Sequence, residues 1–141
     1  VIYLLDTNTL TESLKGHPKI VSRLRAIPPP DDVQLPVISW FEAVRGRMAT
    51  ILTASEEEQL LRAQERLDAD LEAMNSLQIR GVNEEAARHF SFLRSHKKAK
   101  KIQRPDLLIA CIALANNATL VTRNVKNFES VPRLLIQNWF K

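Results

Sequence analysis

The stretch RPDLLIACIALANNATLVTRN, residues 104–124, decides the fold. Pro105 sits where the first residue of a helix belongs, because a first turn does not use that N–H. The run LLIACIALA (107–115) is apolar all round, and a helix with no polar face is buried in the core. ATLVT (118–122) then reads as a strand, and RNVKNF after it as a loop. Working outward, VIYLL (1–5) is a second short apolar run of strand type, stopping at Asp6. TNTLTESLKG reads as a short helix ended by Gly16, a residue suited to the left-handed position after a helix. In HPKIVSRLRAI, Ile20, Leu24 and Ile27 recur at helical spacing, and PPPDD (28–32) breaks the pattern.

VQLPVIS (33–39) is a further strand candidate, although Pro36 removes one ladder hydrogen bond. A helix is expected from Trp40, with Phe41, Val44, Met48, Ile51 and Leu52 on its apolar side. Ser55 with Glu58 reads as a capping box opening the next helix, lined by Leu60, Leu61, Leu67, Leu71 and Met74. The two form an antiparallel hairpin over about residues 40–77. LQIRGV (77–82) and LLIQNW (134–139) complete the strands, and Asn83 caps a helix carrying Ala87, Phe90 and Leu93. Strands alternating with helices predict an α/β fold on a parallel sheet. No repeat, low-complexity segment or linker interrupts residues 1–141, so a single domain is expected.

That length buries enough surface to fold without disulfides or a structural metal. The one cysteine, Cys111, has no partner and excludes a cysteine-built zinc site; a lone thiol in an apolar run fits a reduced, cytoplasmic setting. No segment is apolar enough to span a membrane, and the start lacks the basic flank and long apolar core of a signal peptide. The chain opens on Val1, so the numbering is expected to omit an initiator Met. Twenty Lys and Arg against 16 Asp and Glu give a net charge of +4, which suits an RNA partner without demanding one.

In an open parallel sheet, ligands bind outside the C-terminal ends of the strands. Asp6 follows the first strand directly, Glu42 lies in the first turn after VQLPVIS, Asp106 opens the buried helix and Asn124 lies just beyond ATLVT. Topology therefore brings these four to one sheet edge. Three carboxylates in one crevice stay ionised only if a cation or protons offset them. Oxygen donors without cysteine or paired histidine favour Mg2+ or Mn2+ over zinc. Such an ion activates water and stabilises charge on a phosphate, so the cluster points to phosphodiester hydrolysis. Each residue also has a plainer role open to it: Asp6 as a helix cap, Glu42 on a solvent face, Asp106 as a favourable charge at a helix N-terminus.

Local context separates the two. LLDTNTL (4–10), ISWFEAVRG (38–46), IQRPDLLIACIAL (102–114) and LVTRNVKNFESVPRLLIQNW (120–139) resemble, in order, four signatures of the PIN-domain family, especially its VapC-type toxins. The resemblance spans nearly the whole chain. It implies a three-layer fold with a mostly parallel central sheet flanked by helices, plus a helical hairpin. Asp6, Glu42 and Asp106 then become metal-binding, catalytic carboxylates, with Asn8, Ser39 and Thr122 supporting them. The implied activity is Mg2+- or Mn2+-dependent cutting of single-stranded or looped RNA, by a dimeric toxin whose antitoxin inserts a segment into the site. One departure stands out. Asn124 occupies a position where many PIN domains carry a fourth acid, so one strong metal site and at most a weak second are expected. Glu129 on the nearby loop reads as a surface residue rather than a replacement.

Lys97, Lys98, Lys100, Lys101 and Arg104 precede Asp106 and are candidates for the RNA backbone; a solvated helix end explains them equally. Arg45, Arg47 and Arg123 are weaker phosphate candidates. Trp40 and Trp139 could stack on bases, but both read better as core, and the three histidines have no assigned role. Two rivals remain at this stage. A haloacid-dehalogenase-like phosphohydrolase would use Asp6 as nucleophile, but its acid two residues on is Asn8 here. A PIN-like module that binds RNA or protein without cutting would explain the missing fourth acid.

Overall fold

The structure is a computed structural model describing residues 1–141. Five strands form one sheet: β1 Ile2–Leu5, β2 Asp32–Pro36, β3 Gln78–Arg80, β4 Thr119–Val121 and β5 Leu135–Gln137. Seven helices surround it: α1 Thr7–Leu14, α2 Pro18–Arg25, α3 Val37–Leu52, α4 Glu57–Asn75, α5 Glu84–Ser95, α6 Arg104–Ala115 and α7 Val125–Phe128. The strand order is β3-β2-β1-β4-β5 and every pairing is parallel, in register Leu4↔Leu120 and Leu5↔Val121 at the centre. After β1 the chain builds outward to β2 and β3, then returns to the other side of β1 for β4 and β5. The direction of winding thus reverses between β1 and β4. At such a reversal the loops leaving two adjacent strands diverge and open a crevice.

Strand alternation divides the apolar residues between the two faces. Leu4 and Leu120 join Ala86, Leu93, Ile109 and Ile112 on the α5–α6 side. Leu5, Val121 and Leu35 face Leu10, Ile20, Ala43 and Met74 on the side of α1 to α4. Each fully buried Leu or Ile contributes about 1.5–3 kcal/mol of transfer free energy. α6 is the buried helix expected from its composition, with Leu107 and Ile109 to Ala113 all inaccessible. Two local signals also appear as expected. Gly16 takes φ +84° after α1, and the Asn83 side chain accepts from Ala86 N at the start of α5.

Several boundaries differ from the sequence expectation. β2 ends at Pro36 instead of Ser39, and α3 begins at Val37 instead of Trp40. The branched Val37 and Ile38 mimic a strand, but Pro36 ends the ladder, and both pack as first-turn helix residues against the α5–α6 core. Ser55 pairs with Gln59 instead of Glu58, by N–H and hydroxyl contacts of 3.2 Å to Oε1, and α4 starts two residues later. α6 starts at Arg104, one residue before Pro105. RNVKNF contains the short helix α7. The hairpin of α3 and α4 is present and is pinned by Arg47, whose Nε lies 2.5 Å from Asp70 Oδ2. Arg47 is therefore a structural partner of a buried acid and is not free for phosphate.

Candidate active site

A cleft of about 440 Å³ opens at the C-terminal edge of the sheet, beside the β1–β4 reversal. Asp6, Asn8, Glu42, Asp106 and Asn124 all line it, together with Thr7, Thr11 and Gln103. Asp6 is brought there because β1 ends one residue earlier; its N–H donates to Val121 O, tying it to β4 at 3.1 Å. It is also the N-cap of α1, accepting from Thr9 N at 2.9 Å through Oδ1. The capping and catalytic readings are thus compatible, since Oδ2 has no protein partner. Glu42 is the sixth residue of α3, so it reaches the cleft from the second turn and not the first. Its Oε1 accepts from the Thr7 hydroxyl at 2.5 Å, and Arg45 stands 4.0 Å from Oε2. Asp106 lies in the first turn of α6, and Oδ2 accepts from Asn127 Nδ2 at 2.9 Å.

The supporting residues divide into two kinds. Asn8 and Asn124 are exposed and line the cleft directly. Ser39 is fully buried behind it, donating to Leu5 O at 2.8 Å and so locking α3 onto the end of β1. Thr122 is also buried; its hydroxyl accepts from Asn124 N at 3.0 Å and shapes the turn that presents Asn124. Thr7 and Asn127 were not singled out from sequence. Thr7 lies inside the DTN motif already quoted. Asn127 lies inside the signature 120–139, on a stretch whose loop-like composition hides the short helix α7 that presents it.

None of Lys97, Lys98, Lys100, Lys101 or Arg104 lines the cleft. All five are exposed, around a 3-10 turn at Ala99–Lys101 that leads to the Gln103 wall, and Arg104 lies 5.0 Å over the Phe90 ring. Arg123 stacks 3.7 Å over Phe140, outside the cleft. Glu129 is exposed and absent from the lining. Trp139 is buried, with Nε1 donating to Gln137 Oε1 at 2.9 Å, so it is core. Trp40 packs against the α1–α4 core and its Nε1 is buried without a partner.

No Lys, Arg or His lines this cleft; Arg45 reaches Glu42 from outside it, and Asp6 and Asp106 have no basic partner. Burial, and then the negative charges of Asp6 and Glu42, push the Asp106 pKa above its ordinary 3.8, while the Asn127 amide pulls it down. An all-oxygen donor set short of positive charge fits a hard divalent cation. Asp6 Oδ2 and Asp106 Oδ1 accept no protein hydrogen bond, which leaves them open to such an ion. The three acids do not, as they stand, form a group of three ligands about one point. Glu42 is engaged by Thr7 through Oε1, so the structure brings the three acids to one cleft, with Glu42 held at its side by that contact.

The raised Asp106 pKa has a stability consequence. Between its unfolded value and its folded value, the folded protein binds more protons than the unfolded chain. Metal-free stability is therefore expected to fall as pH rises through that window. Asp106→Asn should lack this component, which melting curves against pH in chelator would reveal; identical pH profiles for both proteins would show that Asp106 does not experience its neighbours.

The family model described as "PIN domain" matches residues 3–134. The chain is 34% identical over 144 residues to Ribonuclease VapC1 of Haemophilus influenzae strain R2866, with 100% of both chains covered. It is 31% identical to Ribonuclease VapC2 of Rickettsia felis, again with 100% of both covered. Among solved structures, VapBC-1 from nontypeable Haemophilus influenzae superposes with TM-score 0.82 at 28% identity, over 100% of each chain. VapBC2 from Rickettsia felis, bound to a promoter DNA fragment, gives 0.79 at 29% identity over 99% of each. The family match starts in β1 and ends one residue before β5, so it takes in every residue that lines the cleft, and the chain belongs to the PIN-domain family.

Proposed function

We propose that this chain, as one PIN domain over residues 1–141, is a metal-dependent endoribonuclease of VapC type, the toxin of a toxin–antitoxin pair that cuts single-stranded or looped RNA. The observation that carries this reading is the cleft that Asp6, Glu42 and Asp106 share, with no cation in its lining and only Arg45, 4.0 Å from Glu42, paired to any of them from outside, in a chain of net charge +4. The relatives' printed names, Ribonuclease VapC1 and VapC2, support the reaction class. Asp6 and Asp106 would hold Mg2+ or Mn2+, which when bound would supply hydroxide at neutral pH and charge stabilisation at phosphorus. The chain's own residues orient that site: Asn127 holds Asp106 through Oδ2, Thr9 N holds Asp6 through Oδ1, and Thr7 holds Glu42. Asn8 and Asn124 offer amide groups to substrate or water at the rim.

An antitoxin partner has a surface to meet. The cleft shares Thr11 and Glu42 with a hollow of about 320 Å³ containing Lys15 and Arg47. That hollow shares Leu14 and Asp70 with a largely apolar one of about 550 Å³, lined by Leu10, Leu24, Ile27, Met74 and Leu77. One groove thus runs from an apolar floor to an acidic end, and suits a segment with apolar anchors followed by a cation. The homodimer belongs to the same proposal, with Phe41, Leu52, Leu60 and Leu61 of the α3–α4 hairpin exposed and available to a second subunit. A cytoplasmic setting is consistent with Cys111, whose thiol is buried and pushed up to about 11, far from the reactive thiolate form. No helix is long and apolar enough to cross a membrane.

The test is direct. Purified chain with a labelled stem–loop RNA and Mg2+ or Mn2+ should cut in the unpaired segment, and its cognate antitoxin should stop it. Intact RNA across a panel of transfer, ribosomal and messenger RNAs would sink the nuclease reading.

A further inference from the structure

We propose that a basic strip beside the chain's C-terminus, running from Arg123 to Lys19, binds the phosphates of the RNA strand that flank the scissile one. Lys19, Arg23 and Lys141 line an open hollow of about 350 Å³ with Pro18, Ser22 and Trp139; half of these residues have cationic side chains and none an acidic one. The proposal rests on the ribonuclease reading and adds to it a track that the basic run before Asp106 does not supply.

Three observations together support a phosphate track here. First, its cations are unpaired: Lys19, Arg23, Arg123 and Lys141 take part in none of the chain's five ion pairs, whereas Lys15, Arg45, Arg47 and Arg62 are each spent on an acid. Second, its arginines are held in place. The Arg23 guanidinium lies 5.1 Å over the ring of buried Trp139 and donates to Gln137 Oε1 at 3.3 Å, while Arg123 lies 3.7 Å over Phe140. Stacking on an aromatic face leaves guanidinium N–H groups at the edge free for phosphate oxygens, with less ordering entropy to lose on binding. Third, the strip adjoins the site along the chain. Arg123 directly precedes Asn124, which lines the carboxylate cleft, and Phe140 under Arg123 lies between Trp139 and Lys141 of the hollow.

The acidic cleft itself repels a polyanion, so the affinity for the strand must come from charges beside it. A single strand with its scissile phosphate at Asp6 and Asp106 would carry neighbouring phosphates past Arg123 and into the hollow. Each phosphate neutralised releases counterions, and the salt dependence of binding counts them.

Binding without cutting is measured on Asp106→Asn with a labelled single-stranded RNA, by fluorescence anisotropy across a salt series. Adding K19Q, R23Q and K141Q together should flatten the slope of log affinity against log salt by about 2 and weaken binding roughly tenfold or more, three contacts at about 0.7 each. Because R23Q also removes the contacts to Trp139 and Gln137, K19Q with K141Q alone is the second variant. It keeps those contacts, should keep the parent's melting temperature, and should flatten the slope by about 1.4. Unchanged slope and affinity in both variants, with RNA still bound by the parent, would overturn the strip and leave the nuclease reading standing. No RNA binding by the parent would overturn both. Equal affinity of the parent for polyglutamate of the same length would overturn RNA as the ligand in favour of an acidic polypeptide.

Discussion

Asp106→Asn is expected to lower RNA cleavage by at least about a thousandfold, about 4 kcal/mol at the transition state, while the fold persists. The change is isosteric and removes one charge from a cleft that has three and no cation in its wall. An amide oxygen at position 106 can still accept from Asn127 Nδ2, so the contact between α6 and α7 survives. What is lost is a charged oxygen for the cation and the field that it sets up. Stability in chelator should be unchanged or higher, because burial and the charges of Asp6 and Glu42 already disfavour ionised Asp106. Asp6→Asn gives a sharper control. Asn caps a helix about as well as Asp, so the Thr9 contact is kept and only charge is removed. Loss of activity with an intact melting transition in both variants assigns the two carboxylates to the reaction. Full activity in Asp106→Asn would remove that residue from it.

Metal removal should have an effect of the same size. Cleavage is expected to stop in excess chelator and to return with Mg2+ or Mn2+. A second readout is independent of activity: a ligand that binds only the folded state at a hundred times its Kd stabilises by about 2.7 kcal/mol. For a chain of this length, that amounts to roughly 5–10 °C in melting temperature. The rise should be much smaller in Asp106→Asn. Calorimetry should find one strong site, because Asn124 offers an amide where a fourth carboxylate would draw in a second ion. Thr7→Val releases the Glu42 side chain from its hydroxyl partner and should leave metal affinity equal or higher. Full cleavage in chelator, or no thermal shift with either ion, would end the metal mechanism.

Sequence and structure agree where the signal is local and strong. The all-round apolar run 107–115 had to be a buried helix, because no other placement removes so many contiguous apolar side chains from water. Gly16 and Asn83 each obey a rule that acts within four residues of chain, and both stand as expected. Failures occur where two rules compete. Val37 and Ile38 have strand-type side chains, yet the proline before them ends the ladder, and the core against α6 accepts them as helix residues equally well. Ser55 had both Glu58 and Gln59 within reach, and loop geometry chose the second.

Composition, periodicity and motif order by themselves determined a parallel α/β domain and named Asp6, Glu42, Asp106 and Asn124 as one site, because strand ends and helix starts are written in short runs of residues. Only the tertiary structure decided which oxygens are free, that Thr7 holds Glu42 and Asn127 holds Asp106, that Arg47 belongs to Asp70, and that Arg123 stacks on Phe140. Those partners lie 17 to 35 residues apart in the chain. Contacts at that separation depend on how helices dock on the two faces of the sheet, which no local pattern encodes.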